Sequence, residues 1–228
     1  MVKTEHFCCA GRYHRELSQL SQDYYAEGTK NDIAAISLCD GASFSRFSGF
    51  AAQVVSELCV KILLENFERY LTENPFRVRY EIAKKIDIAL TRIGKKNNIP
   101  LHQLATTILA AAVNPNNGKF LLLHLGDGMI FQRYQESSST FSVASSPETG
   151  LLPFSTYLTL VGTTEYHLRF YRWVQPNQQL RQILLVTDGA CDCVLSKPEL
   201  CIDGLAPIKK HLIQQNPADD YSVASIFL

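Results

Sequence analysis

Residues 105–128 read ATTILAAAVNPNNGKFLLLHLGDG. Two apolar runs flank the polar stretch Asn114 to Gly118 (NPNNG), whose Asn, Pro and Gly residues are turn formers, so the segment is a β-hairpin. Its second arm stops on Asp127-Gly128, and the same punctuation recurs on either side of it. Upstream, DIAAISLCDG ends on Asp40-Gly41; downstream, QILLVTDG ends on Asp188-Gly189. A further acidic pair, Asp219-Asp220, precedes the last apolar run, YSVASIFL. One Asp-Gly is usually only a turn, because Gly tolerates positive φ and Asp bonds its own backbone. Three at the ends of buried strands, with an acidic pair beside a fourth, point to carboxylates gathered in one place. Such a cluster is unstable unless protons or cations neutralise it.

The rest of the chain supplies what must cover those strands. Apolar residues at 47, 51, 54, 55, 58 and 62 mark one face of a long helix between Phe47 and Leu71. A second helix follows from Pro75, with Asn74 as its cap and Val78, Ile82, Ile86, Ala89 and Ile93 inward. A third is expected over Asp203–Gln215. Strands are expected over Glu5–Ala10, Ile33–Cys39, Thr106–Val113, Phe120–Leu125, Met129–Tyr134, Thr140–Ala144, His167–Val174, Ile183–Thr187 and Ser222–Leu228. ESSST (Glu136 to Thr140) is read as the turn of a second hairpin. Consecutive hairpins imply antiparallel sheets with helices on their outer faces. The expected class is α+β, a four-layer αββα sandwich. No repeat or linker-like tract divides the chain, so residues 1–228 are read as a single domain.

Twenty-two Lys and Arg offset twenty-two Asp and Glu, which gives no electrostatic case for nucleic acid or an anionic membrane. No apolar run approaches the ~18 residues of a membrane span, and the first residues lack a signal peptide's apolar core. The seven cysteines are odd in number and mostly sit in apolar segments. A reducing cytoplasm and a monomeric protein are expected. Cys191 and Cys193 have no second pair at zinc spacing, and no cysteine stands in a C-x₅-R pattern. The chain also lacks a Walker loop, H-E-x-x-H and G-x-S-x-G. Phosphate chemistry, if present, therefore falls to metals. Short-stemmed Asp carboxylates suit Mg²⁺ or Mn²⁺, and two such ions ~3.5–4 Å apart can activate a bridging water. Asp40 heads the candidate ligands, with the Gly41 carbonyl, then Asp188, Asp219 and Asp23. Taken singly, each of these acids reads rather as a turn, cap or surface residue, and only the joint pattern reverses that.

In order, QD (Gln22, Asp23), CDGAS, ATTILAAAV, HLGDGMI, LLVTDGACD and DDYSVASIFL resemble the metal-dependent Ser/Thr protein phosphatases of type 2C (the PPM family), in their short bacterial form. The resemblance runs from about Phe7 to Leu228. It implies a β-sandwich flanked by helices, two Mg²⁺ or Mn²⁺ ions, and a phosphorylated protein as substrate. Hydrolysis of phosphoserine or phosphothreonine would proceed by attack of water bridging the ions, without a phosphoenzyme. On this pattern Asp40 bridges both ions, Gly41 ligates through its carbonyl, Asp188 and Asp219 bind one ion, and Asp23 serves directly or through water. Asp127 and Asp192 match acids linked to a weaker third metal. Asp220 falls where the family often has Asn, supporting the loop.

Three departures stand out. The His that many members carry after the first Asp-Gly is Ala42 here. Counting from Gly11, the position of a phosphate-binding Arg holds His14, which reads as a phosphate contact, a replacement acid or a plain loop histidine. Arg12 and Arg15 are the neighbouring candidates for a phosphate clamp. The spacing from Gly11 to Asp23 is also longer than usual, so a reshaped first loop is expected. Two other functions stay open: a catalytically impaired regulatory or binding module on the same fold, and a hydrolase of small phosphomonoesters. The segment Ser145 to Val161 corresponds to the family's flap; Thr106-Thr107, at the start of a strand, reads either as a hydrogen-bonding support of the site or as ordinary β-propensity.

Overall fold

The computed structural model describes residues 2–135, 140–148, 150, 156–176 and 179–228. In chain order its elements begin β1 (Lys3–Cys9), α1 (Arg12–Glu16), β2 (Tyr24–Lys30), β3 (Ile33–Cys39), α2 (Ser48–Thr72) and α3 (Pro75–Asn97). The middle holds β4 (Ile108–Asn114), β5 (Lys119–Leu125), β6 (Met129–Tyr134), β7 (Ser142–Ser145), α4 (Thr164–His167) and β8 (Arg169–Trp173). The chain then continues through β9 (Leu180–Val186), α5 (Asp188–Ser196), α6 (Ala206–Gln215) and β10 (Tyr221–Phe227).

Period-two alternation along the apolar strands creates separate cores on their two faces. In β3, Ala34, Ile36 and Leu38 point to the opposing sheet, whereas Ile33, Ala35 and Cys39 point to the helices. β4 repeats the division: Leu109, Ala111 and Val113 face inward, and Ile108, Ala110 and Ala112 face outward. The small outward alanines let α2 lie close to the sheet, which buries Ala51, Val55, Leu63 and Phe67 of that helix. The strands form two five-stranded sheets, ordered β1-β10-β9-β6-β7 and β2-β3-β4-β5-β8. Every pairing between them is antiparallel. Leu185, Ala224 and Ile226 meet β3 and β4 between the sheets, while Val186, Val223 and Phe7 pack outward with Val194, Ile208 and Leu212 of α5 and α6. The result is the expected four-layer αββα sandwich.

Phe67 is 2% exposed at the centre of the helix-side core. Phe67→Ala should therefore cost about 3–5 kcal/mol, read as a lowered urea midpoint with unchanged slope.

Asn74 and Pro75 start α3 as expected: the Asn74 side chain accepts from Phe76 N at 2.9 Å, and Pro75 occupies the first turn. The Asn114–Gly118 turn also forms, with Gly118 N donating to Asn114 O at 2.8 Å. The expected ESSST turn falls largely at 136–139, outside the described residues. Several expectations need correction, and helix α1 (Arg12–Glu16) was not anticipated. β2 was not anticipated, because YYAEGTK is a half-exposed edge strand with Gly28 inside it and no clean alternation. α5 was not anticipated either; it begins on Asp188 itself, directly after β9. The third helix starts at Ala206 rather than Asp203, since Gly204 adopts φ +141° and breaks helical geometry there. His167 belongs to α4 and not to the following strand. Among the described residues, no helix is long and apolar enough to cross a membrane.

Candidate active site

The topology gathers the acids. β2 and β3 pair with Tyr24 opposite Cys39, so Asp23, before β2, and Asp40, after β3, lie at one end of the sandwich. In the other sheet Val223 pairs with Val186, which brings Asp219 and Asp220, before β10, beside Asp188, after β9. The β5–β6 turn adds Asp127. Asp40, Gly41, Thr107, Asp127, Asp188 and Asp219 line a cleft of about 350 Å³, with Ala42, Ser43, Phe44, Thr156 and Leu158 around it. A larger cleft of about 580 Å³, at the turns linking β2 to β3 and β4 to β5, contains none of the candidate residues.

Backbone contacts hold these carboxylates in place. Asp40 N donates to Thr107 Oγ1 at 3.0 Å, and Asp40 O accepts from Thr106 Oγ1 at 2.7 Å and from Thr107 N at 2.9 Å. The Thr106-Thr107 pair therefore fixes the peptide that carries Asp40. Asp188 opens α5, where the helix dipole favours a carboxylate, and its Oδ1 accepts Gly189 N at 2.7 Å. Thr187 Oγ1 donates to Asp23 Oδ2 at 3.3 Å. Two glycines permit the loops to interlock. A Cβ on Gly11 would lie 2.2 Å from the Asp219 carbonyl carbon and oxygen, and one on Gly189 would lie 2.1 Å from Asp220 O. Sequence reading took Gly189 only as half of a dipeptide; no local pattern announces that a distant backbone presses against it.

The electrostatics are those of an uncompensated acidic cluster. Asp40 lies within hydrogen-bonding reach of Asp23 and Asp188. Burial, followed by the charges of Asp23 and Asp188, holds its carboxyl well above the usual range. Burial raises Asp23 to about 7, and Asp127 to about 6 with help from Asp188 and Asp219. Asp188 is an exposed residue, yet its carboxylate packs among acids and is also raised, by burial first and then by Asp219. Asp23 Oδ1 is buried without a hydrogen-bond partner among the described residues. Hard oxygen donors, mutual repulsion and an orphaned carboxylate oxygen fit divalent cations. Among the described residues no three His, Cys, Asp or Glu side chains form a ready-made cage.

Other candidates stand outside the cleft. Asp192 is exposed one helical turn beyond Asp188 and does not line the cavity. His14 Nδ1 is 2.7 Å from Asp220 Oδ1, and His14 is likewise absent from the cleft lining. Arg15 donates to Ala10 O at 2.5 Å and also bonds Asn216 Oδ1. Arg12 lies over the Tyr13 ring, 5.7 Å from its centroid. The structure thus brings Asp40, Gly41, Asp127, Asp188 and Asp219 into the cleft lining, with Asp23 buried beside Asp40 and Thr187 outside that lining, and leaves His14, Arg12, Arg15 and Asp192 off it.

His124, read from sequence as structural, sits against the Asp127 turn. Its Nε2 is 3.2 Å from Gly126 O, so it carries the proton and donates there, while Nδ1 accepts from Ser145 Oγ at 2.7 Å. Burial, then the Arg169 charge, lowers its pKa from 6.5 to about 3. A histidine whose folded pKa is depressed costs nothing above the unfolded pKa. Stability is lost as pH falls below 6.5, because only the unfolded chain readily takes the proton. Between pH 7 and 5 the wild type should lose about 2 kcal/mol more stability than His124→Gln, measured by urea unfolding at each pH.

The sequence profile of the family described as Protein phosphatase 2C matches residues 10–221. No curated protein sequence matches the chain. Among solved structures, a bacterial serine phosphatase superposes with a TM-score of 0.68 at 15% identity, covering 100% of this chain and 98% of that one. The serine/threonine phosphatase Stp1 from Staphylococcus aureus gives 0.67 at 15%, covering 100% and 95%. RsbX in complex with magnesium gives 0.61 at 9%, also covering 100% and 95%. At these identities the neighbours establish the fold.

Proposed function

Because the chain belongs to the protein phosphatase 2C family, we propose that it is a metal-dependent phosphoprotein phosphatase that hydrolyses phosphoserine and phosphothreonine. The observation that carries this reading is the gathering of Asp40, Asp127, Asp188 and Asp219 in one cleft with Asp23 buried beside Asp40, carboxyls that repel one another. Asp40, the Gly41 carbonyl, Asp188, Asp219 and Asp23 would hold two Mg²⁺ or Mn²⁺ ions. Asp127 would hold a third, weaker one, with Asp192 only if α5 shifts. When bound, such ions activate water for in-line attack and neutralise the phosphoryl oxygens. A fold neighbour crystallised with magnesium supports the choice of cation.

The chain's own residues have distinct parts in this scheme. Thr106 and Thr107 orient Asp40 through its backbone, so the carboxylate meets the cleft in one geometry. Ala42 lies where a proton donor would otherwise stand, and the leaving alkoxide must take its proton from solvent or another group. Phe44, 68% exposed, and Leu158 form an apolar lip that would meet the substrate next to its phosphate. Cysteine chemistry is not part of the scheme. Burial pushes the Cys8, Cys59 and Cys201 thiols up to about 12 and Cys39 well above its usual value, and no cysteine lines the cleft.

One observation favours a second reading, a regulatory module with weakened catalysis: among the described residues the cleft lining has Ala42 and neither His14 nor a basic side chain. Hydrolysis of p-nitrophenyl phosphate and of a phosphothreonine peptide, with Mn²⁺ and with chelator, separates the two. Mn²⁺-dependent turnover of both substrates is expected, falling at least about 100-fold in Asp188→Asn, which is roughly 2.7 kcal/mol of transition-state stabilisation. A folded wild type without such turnover would support the regulatory module instead.

A further inference from the structure

Asp220 is 2% exposed, and its carboxylate accepts three hydrogen bonds. Oδ1 takes Gly11 N at 2.7 Å and pairs with His14 Nδ1 at 2.7 Å, while Oδ2 takes Gln22 N at 2.6 Å. The donors come from the start, middle and end of the lengthened first loop. Each end of that arrangement abuts a candidate ligand. Gln22 precedes Asp23, and Asp220 follows Asp219, whose Oδ1 accepts Asp220 N at 2.9 Å. One buried carboxylate thus sets how far Asp23 stands from Asp219, although the two lie near opposite ends of the chain. Two of its donors are backbone amides, which every sequence supplies. His14 is the only side-chain donor among the three, and the bond at Nδ1 ties its ring to Asp220.

We infer that Asp220 and His14 form a positioning clasp for the metal centre, holding Asp23 and Asp219 at the separation that divalent ions require. The inference rests on the proposed phosphatase reading. It gives His14 a role that neither binds phosphate nor donates a proton to the leaving group. Asp220→Asn would place an amide N–H against the Gln22 N–H, donor facing donor, and free the Asp23 end of the loop. His14→Phe keeps the ring and loses the bond. His14→Asn keeps a donor near the position of Nδ1.

Calorimetric Mn²⁺ titration of the folded variants tests the clasp, with p-nitrophenyl phosphate turnover followed across Mn²⁺ concentration. Partners that orient ligands typically change metal affinity by about 10–100-fold when removed. Asp220→Asn and His14→Phe should each weaken Mn²⁺ binding by about that factor. Excess Mn²⁺ should restore most of the rate, and His14→Asn should retain near wild-type affinity. If Asp220→Asn fails to fold, His14→Phe decides alone. Unchanged Mn²⁺ affinity in His14→Phe overturns the clasp, and lost turnover at that unchanged affinity moves His14 back to phosphate or proton transfer. A wild type that binds no Mn²⁺ removes the phosphatase reading together with the clasp, whereas Mn²⁺ binding by the wild type that is indifferent to these variants removes the clasp alone.

Discussion

Asp40→Asn should lower Mn²⁺-dependent phosphoester hydrolysis by at least about 1000-fold, which corresponds to roughly 4 kcal/mol of transition-state stabilisation. The same substitution should make the metal-free protein more stable. Asp40 stands between Asp23 and Asp188, and burial together with those two charges disfavours its ionised form. Asn is nearly isosteric and removes the central repulsion, so a gain of about 1–2 kcal/mol in urea unfolding without metal is expected. Opposite signs for activity and stability mark a residue retained for binding cations rather than for folding. A loss of both would instead make Asp40 a structural acid.

Gly11→Ala should destabilise the protein strongly through a single added methyl group. Its Cβ would sit 2.2 Å from the carbonyl carbon and oxygen of Asp219, where the obstacle is backbone rather than a movable side chain. Arg12 N and Tyr13 N also donate to Pro217 O and Ala218 O, at 2.9 and 3.1 Å, so the two segments are tied together next to the clash. Relief requires them to part, with loss of the Gly11 N bond to Asp220 Oδ1. A destabilisation of about 3 kcal/mol or more is expected in urea, accompanied by weakened Mn²⁺ binding. Ala at this position with wild-type stability would mean that the loops do not touch as described.

Much of this was legible in the sequence for physical reasons. Continuous apolar runs ending on Asp-Gly could only be buried strands leaving a core, and their hairpin spacing set antiparallel sheets. Asn74-Pro75 announced a helix start through local chemistry alone. The features that escaped sequence reading depend on distant partners. β2 is defined by its pairing with β3 rather than by its own pattern, and α5 is a short helix anchored by the burial of Ala190, Cys191 and Val194. The same holds within the site. Asp40, Asp127, Asp188 and Asp219 could be proposed as a group because each has a recognisable strand beside it, whereas Asp23 precedes β2, which has no such signal. That His14 bonds Asp220 could not be read from either residue, because 206 positions separate them and nothing local joins them. The raised carboxyls of Asp40 and Asp23 likewise arise from assembly, not from any one motif.

The central claim is that these carboxylates exist to hold a pair of divalent ions. Anomalous diffraction from a crystal soaked in Mn²⁺ tests it directly. The account predicts two anomalous peaks in the cleft, held by carboxylates among Asp40, Asp188, Asp219 and Asp23. A crystal soaked to saturation with no anomalous peak among Asp23, Asp40, Asp188 and Asp219 would contradict it.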